Sequence, residues 1–148
     1  MTTIFSKFRA LSRAERTALL SALLMLPLFS IGLRVFGLPR FNAWLERAPI
    51  AARPYPTREQ LARIATLIRM AGNRVPVAST CLTRSLLLGW WLRRRGVRGE
   101  LRIGVRLSGG KFEAHAWLEY GGRPLNDSDD IAMAFAAFDE PLSYKSFS

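Results

Sequence analysis

The sequence predicts an α+β fold in which helices come first and a small antiparallel sheet follows. Apolar residues recur at helical spacing through much of the first two thirds of the chain, and from residue 100 the period changes to two. The chain has 148 residues, the length of one domain, and 49% of them are hydrophobic. Such a composition excludes a disordered protein, which needs low hydrophobicity together with high net charge.

The first predicted helix follows a capping box formed by Ser12 and Glu15. Residues 18–33 then carry no charge, and Pro27 and Gly32 are expected to interrupt them. The run falls just short of the roughly 18 to 20 apolar residues that cross a bilayer. We therefore favour a buried or surface-lying helix over a membrane span.

A second short helical segment lies around Trp44, and three prolines within residues 48–56 then mark a linker. We place the organisational boundary there. Residues 1–52 are expected to form an apolar helical region that packs on the core, and residues 53–148 to form that core. Together they are predicted to make one compact unit.

The two central helices have clear start and stop signals. Thr57 and Gln60 form a second capping box for a helix that should stop at Gly72. The next helix is predicted to begin at Cys81 and to end in three arginines and Gly96, which suit the negative end of a helix dipole and a left-handed stop.

Alternating apolar and polar residues predict two strands, at residues 101–107 and 112–119, joined by a glycine pair. A short third strand at residues 123–126 follows a second glycine pair and completes an antiparallel meander. The tail contains one apolar run, residues 131–138, whose structure the pattern does not determine.

The charge balance is strongly basic. There are 22 Lys+Arg residues against 11 Asp+Glu, which gives a net charge of +11 and a pI near 11.3. This excess favours a polyanion, an anionic membrane face or an acidic peptide, and it also fits a merely solvated surface. No nucleic-acid-binding motif appears, so we predict no nucleic-acid partner.

The chain has one cysteine and one histidine. A single cysteine excludes an internal disulfide and a zinc site built from several thiolates, and a single histidine removes the usual companion ligands. We therefore predict no metal and no cofactor, and a reducing cytosol as the location, with contact to a membrane surface as an addition.

Cys81 is the candidate nucleophile. A thiol attacks as its thiolate, and the start of a helix, here capped by Ser79 or Thr80, favours negative charge and offers free N–H groups. The same N–H groups would stabilise the oxyanion of a tetrahedral intermediate. The alternative is that Cys81 is a small buried apolar residue.

His115, in the middle of the second strand, is the candidate base. Alternation places it on one sheet face with Trp117, and we expect this face to turn toward the Cys81 helix. A third group should orient the imidazole, and the return of the next strand brings Asn126 or Asp127 alongside it. Asp127 is preferred, with Asn126 and Asp129 as close rivals.

Other residues near this centre have two interpretations. Trp90, Trp91 and Trp117 are expected in the core, although they could line a peptide groove. Arg84 lies one helical turn from Cys81 and could bind a carboxylate or be solvated.

Four short segments resemble a known family: CLTRSL from Cys81, RRRGV from Arg93, IGV from Ile103 and HAWLE from His115. They are similar to the transglutaminase-like leader peptidase of lasso-peptide biosynthesis. The resemblance implies a transglutaminase or papain-like core with Cys81, His115 and Asp127 as nucleophile, base and orienting acid.

The resemblance also implies a function. The expected activity is a cysteine peptidase that cleaves the leader from a ribosomally made precursor peptide. This chain is similar to the split form, whose implied partners are a separate leader-recognition protein and a macrolactam synthetase. The alternatives are acyl transfer to an amine on the same triad, and a non-catalytic membrane-associated protein.

Overall fold

The computed structural model describes residues 2–47, 57–74, 81–127 and 130–137. The elements follow in the order α1 Thr2–Arg9, α2 Arg13–Phe36, α3 Leu38–Glu46, α4 Arg58–Gly72, α5 Cys81–Arg93, β1 Glu100–Ser108, β2 Lys111–Tyr120, β3 Arg123–Pro124, α6 Ile131–Ala134 and β4 Ala136–Ala137. The predicted α+β class, with helices before a small antiparallel sheet, is confirmed. The linker at residues 48–56 and the capping residues Ser79 and Thr80 lie outside the described residues.

Helix α2 begins at the predicted capping box. The Ser12 hydroxyl accepts from the Glu15 backbone N–H, and the Glu15 carboxylate accepts from the Ser12 N–H at 2.7 Å. The expected interruption at Pro27 and Gly32 is wrong, since the helix continues through both to Phe36. A proline removes one backbone hydrogen bond, which packing of the rest of the helix outweighs.

One face of α2 packs on α4 and α5, and it carries Ala18, Ala22, Leu26 and Phe29 into the core. By length and composition α2 could cross a membrane: an 18-residue window has mean hydropathy 2.0 and is 22% buried. Core helices of soluble proteins and signal sequences meet the same criterion.

Helix α3 folds back because Gly37 ends α2 with φ of 77°, a value that L side chains rarely adopt, and Pro39 fits the first turn of a helix. The return brings Phe41 edge-on to Phe29, with ring centroids 5.2 Å apart. The two helices thus form an apolar pair on the surface of the core.

Helix α4 has the predicted capping box of Thr57 and Gln60, and its apolar face is buried. Its Arg63 pairs with Glu15 at the start of α2 at 2.9 Å. Helix α5 is described from Cys81 to Arg93, and it is buried on several sides because α2 and α4 pack against it in addition to the sheet.

The sheet has the order β3-β2-β1-β4, all pairs antiparallel. The prediction of which face of β2 turns toward α5 is wrong. Ala116 and Leu118 join the core around α5, whereas Trp117 forms a second cluster with Ile131 and Phe135 on the opposite face. The physical reason is that the tail residues, whose structure the sequence left open, cover that opposite face.

Candidate active site

A cavity of about 470 Å³ opens where the start of α5 meets α4, the middle of β2 and the chain after β3. Its lining includes Cys81, His115 and Asp127, the three residues that sequence analysis selected. They come from α5, from β2 and from the chain after β3, so the fold and not their order in the chain brings them together. A volume of this size is typical of ligand sites.

Within the cavity, Nε2 of His115 forms a hydrogen bond with Oδ2 of Asp127. A carboxylate only accepts hydrogen bonds, so Nε2 carries the proton in this contact and Nδ1 is the nitrogen left to act as a base. Both side chains are about a quarter exposed, which keeps them accessible from the cavity. This arrangement fixes the tautomer of the imidazole.

Asn126, a rival for the orienting role, is engaged elsewhere. Its Oδ1 accepts from the Leu118 N–H at 2.8 Å, and its amide donates to the Ser85 hydroxyl at 2.9 Å. Ser85, fully buried in α5, in turn donates to the Ala116 carbonyl at 3.4 Å. Asn126 therefore ties α5, β2 and the chain after β3 together. The other rival, Asp129, lies outside the described residues.

The predicted third strand is shorter than expected, and Asn126 supplies the reason. Strand β3 ends at Pro124, although the Leu125 N–H still donates to the Leu118 carbonyl at 2.8 Å. The Asn126 side chain then takes the Leu118 N–H that a regular ladder would pair with backbone. The backbone is released from the sheet at this point, and Asp127 reaches His115.

Aromatic rings hold the imidazole on its other side. The His115 ring stacks on Phe135 with centroids 5.2 Å apart, and on Trp117 at 6.2 Å. Gly104, paired with His115 across the sheet, makes room for them: a Cβ added there would meet the Phe135 Cβ at 2.8 Å and the Trp117 ring at 3.0 Å. The imidazole thus has few orientations open to it.

Cys81 is the first residue of α5, is partly exposed and forms no disulfide. Arg84, one turn further on, lines the same cavity and so stands beside the candidate site. Trp91 and Trp117 are core residues, as expected, and neither these two nor Trp90 lines the cavity. The idea of a tryptophan-lined groove at this site is therefore wrong.

No metal centre is apparent in the described part of the chain, where no three His, Cys, Asp or Glu side chains gather as ligands. The cavity does contain a thiol, an imidazole and a carboxylate, together with the backbone of a helix start. That set of groups is suited to nucleophilic acyl chemistry.

Sequence reasoning missed Ser85, Gly104 and Phe135. A glycine inside a strand indicates that another group approaches the backbone closely, and at Gly104 the approaching groups are Phe135 and Trp117. Ile131 and Phe135 are four residues apart, the spacing of about one helical turn, which could have indicated that both pack on the same side. Ser85 gives no such signal, because a serine within a helix is as often solvated as buried.

Comparison with known proteins agrees with this fold. The family model described as the transglutaminase-like superfamily matches residues 22–138, which takes in most of α2, the cavity and the short strand β4. No curated protein and no solved structure matches the chain.

Proposed function

Because the chain belongs to the transglutaminase-like superfamily, we propose that it is a cysteine peptidase that removes the leader from a ribosomally made lasso-peptide precursor. The superfamily supports the general kind, a thiol enzyme acting on acyl groups. The observation that carries the proposal is the His115–Asp127 hydrogen bond inside the cavity that also contains Cys81.

In the proposed reaction, Nδ1 of His115 takes the proton of the Cys81 thiol. The sulfur attacks the carbonyl carbon of the scissile peptide bond and forms a tetrahedral intermediate. His115 then gives its proton to the leaving amine, and the carbon–nitrogen bond breaks. The leader remains on the enzyme as a thioester while the core peptide departs with a free amino terminus.

Hydrolysis repeats these steps with water. His115 accepts a proton from the attacking water, and collapse of the second intermediate returns Cys81 as leaving group and releases the leader acid. Asp127 accepts the hydrogen bond from Nε2 and stabilises the imidazolium that forms in each half-reaction. Backbone N–H groups at the start of α5 are the candidate donors to the oxyanion, because the first four N–H groups of a helix lack partners within it.

The identity of the substrate rests on the resemblance of the four sequence segments. It implies that a separate leader-recognition protein delivers the precursor and that a macrolactam synthetase takes the freed core. A reducing cytosol, which preserves the Cys81 thiol, is the proposed location. No metal or cofactor enters any step.

The test is to incubate the purified protein with a precursor peptide and the leader-recognition protein, and to identify the products by mass. We expect two peptides whose masses sum to that of the precursor plus one water. Cys81→Ala should abolish both products, and Asp127→Asn should lower kcat by about 10²-fold or more, as loss of the orienting acid does in such triads.

Asp130→Asn is the matched control, since Asp130 is an exposed carboxylate three residues away that makes no side-chain cap contact. It should cleave at the wild-type rate. Cleavage that continues in Cys81→Ala would refute the proposal, and equal rates for the Asp127 and Asp130 variants would remove Asp127 from the triad.

Acyl transfer to an amine is the second candidate, because both chemistries share the thioester and differ only in the acceptor. The discriminating measurement adds a primary amine in excess to the same reaction. A leader that leaves as the acid identifies a peptidase, and one that leaves only as the amide identifies a transferase.

A further inference from the structure

Helices α2 and α3 present an apolar surface to the outside. Its members are exposed large hydrophobic side chains, and we call them the α2–α3 surface: Leu20, Leu24, Leu28, Ile31, Val35, Phe36 and Trp44. Leu24 is 63% and Trp44 is 61% exposed. Most of the exposed large hydrophobic residues of the described chain lie on these two helices, and an apolar concentration of this kind marks a binding surface.

The surface runs along the whole length of α2. Leu20, Leu24, Leu28, Ile31 and Val35 follow each other at intervals of three or four residues, which keeps them on one side of the helix. The opposite side of α2 packs on the core, so the exposed apolar side chains on this side do not contribute to core packing.

An apolar groove deepens this surface. It has a volume of about 530 Å³ and lies between α2 and α3, with Leu28, Phe36 and Trp44 among its lining residues. Arg40 lines it too, and the other described residues that line it are apolar. The groove shares no residue with the cavity of Cys81.

Cations stand at both ends of the apolar stripe. Arg13 precedes it by seven residues, two helical turns, and is exposed, and Arg34 is exposed at its far end. Between them, residues 18–33 carry no charge. Arg40 and Arg47 of the following segment are also exposed, and the chain as a whole has a net charge of +11.

This pattern selects among ligands. A purely apolar protein partner would account for the stripe but not for its cationic ends, whereas a layer with an apolar interior and anionic headgroups matches both. Long arginine side chains can keep their guanidinium groups at headgroup level while the neighbouring apolar residues enter the acyl region. A membrane-spanning arrangement of α2 conflicts with its packing, since the opposite face is part of the protein core.

We propose that the α2–α3 surface binds an anionic lipid bilayer, with α2 lying parallel to the membrane plane. The apolar stripe enters the interface, and Arg13, Arg34 and Arg40 meet lipid phosphates. The proposal is independent of the peptidase function, because no residue of the catalytic cavity takes part.

The experiment is flotation of the full-length protein with phosphatidylcholine vesicles that contain or lack phosphatidylglycerol. We expect binding to the anionic vesicles only, with a marked loss when NaCl is raised from about 0.1 M to about 0.5 M, because salt screens exposed charges. Trp44 fluorescence should shift to the blue on binding, and Trp44→Phe should remove most of that shift.

Two variants separate the apolar and charged contributions. Leu24→Gln/Leu28→Gln/Ile31→Gln should weaken binding by about tenfold or more, since binding strength scales with buried apolar area. Arg13→Gln/Arg34→Gln should reduce the preference for anionic vesicles. The matched control is Leu107→Gln/Phe112→Gln, which removes two exposed apolar residues of the β1–β2 hairpin that are not part of the α2–α3 surface, and it should leave binding unchanged.

Three results would overturn the proposal. The first is wild-type protein that does not float with anionic vesicles, and the second is a triple glutamine variant, folded by circular dichroism, that floats as well as wild type. The third is a wild-type protein that is dimeric in solution and does not bind vesicles, together with a triple glutamine variant that is monomeric. That result would assign the surface to a second copy of the chain.

Discussion

Asn126 and Asp127 are adjacent, and their side chains serve different purposes. Asp127 contacts the imidazole, whereas Asn126 bonds to the Leu118 backbone and to Ser85. Asn126 also lines the cavity, but both of its side-chain hydrogen bonds go to Leu118 and Ser85 and fix the backbone from which Asp127 extends. It is therefore a positioning residue in the proposed enzyme.

Replacing Asn126 with alanine should lower both stability and rate. Removing the amide leaves the Leu118 N–H without a hydrogen-bond acceptor, and an unsatisfied buried donor costs about 1 to 3 kcal/mol. We expect kcat to fall about tenfold with KM nearly unchanged. Asn126→Asp retains the acceptor for the Leu118 N–H, so it should recover part of the loss.

Asn73→Ala is the control for this prediction. Asn73 is an exposed asparagine at the end of α4, where its backbone N–H donates to the Arg69 and Ala71 carbonyls. Urea unfolding and steady-state kinetics measure both properties. A normal kcat in an Asn126→Ala protein would contradict the positioning role.

Phe135 is the second residue whose effect should reach the imidazole. It is 8% exposed, stacks on His115 and packs with Trp117. Phe135→Ala should cost about 3 kcal/mol, the lower end for a buried aromatic truncation, and should also lower kcat because the ring orientation is less restricted. Thermal or urea unfolding checks the first effect.

Phe112→Ala removes the same ring from a site that is 82% exposed on the hairpin. Such surface substitutions change stability by about 0.5 kcal/mol or less. If both variants lose equal stability, the Phe135 ring is not part of the second core cluster.

The contact between α2 and α3 depends on the absence of a side chain. A Cβ added at Gly32 would lie 2.6 Å from a carbon of the Phe41 ring. Alanine favours helix by about 1 kcal/mol over glycine, and overpacking costs about 1 to 3 kcal/mol. Since the Phe41 ring is held edge-on by Phe29, we expect overpacking to win and Gly32→Ala to destabilise the protein.

Gly89→Ala tests the same balance between helix propensity and overpacking, but here we expect the substitution not to destabilise the protein. In α5 the added Cβ would meet Leu118 at 3.4 Å, the distance of ordinary contact. Helix propensity should then prevail, and the free energy of unfolding should rise or stay the same. A stabilised Gly32→Ala protein would show that α3 is not held closely against α2.

The link between α2 and α4 should weaken in acid. The Ser12 N–H lowers the pKa of Glu15, burial opposes the shift, and Arg63 assists it. The pKa of Glu15 is lower in the folded state than in the unfolded state. The stabilisation is therefore present above the unfolded pKa and is lost as the pH falls through the folded pKa. Glu15→Gln should therefore cost roughly 0.5 kcal/mol at pH 7 and little at pH 2.

The capping box of α4 supplies the matched control, because the acceptor there is the neutral Gln60. Gln60→Ala should destabilise the protein by a similar amount at both pH values. Urea unfolding of the two variants at each pH provides the measurement. A loss in Glu15→Gln that does not change with pH would contradict the assigned role of the charge.

For the molecule as a whole, local sequence patterns predicted the helices and strands, whereas long-range packing determined which of their faces and side chains meet. Both capping boxes, the helical segment after Cys81 and the β1–β2 hairpin could be predicted, since each depends on residues close in the chain. The family match to residues 22–138 supports the same α+β arrangement. A separate helix α1 was not predicted, although it lies within residues 1–52, which were expected to be helical.

What could not be predicted depended on residues distant in sequence. The prediction of which β2 face turns toward α5 was wrong because alternation alone gives two equivalent faces. The tail around Phe135 covers one face, and α5 covers the other. The choice between Asn126 and Asp127 stayed open for a similar reason: it required knowing that Ser85 of α5 lies within reach of Asn126. The catalytic assignment of Cys81, His115 and Asp127 remains a proposal that the kinetics above test.

Helix α5 lies between α2 and α4 on one side and the sheet on the other, and its middle residues are fully buried. Amide hydrogens there are expected to exchange with deuterium only through global unfolding, whereas those near the rim of α2 exchange through small local openings. Cys81 lies at the first residue of this helix, so its backbone is joined directly to the segment that we expect to exchange most slowly. Substitutions that weaken packing far from α5 are therefore expected to shorten the lifetime of the folded protein before they change the position of the Cys81 sulfur.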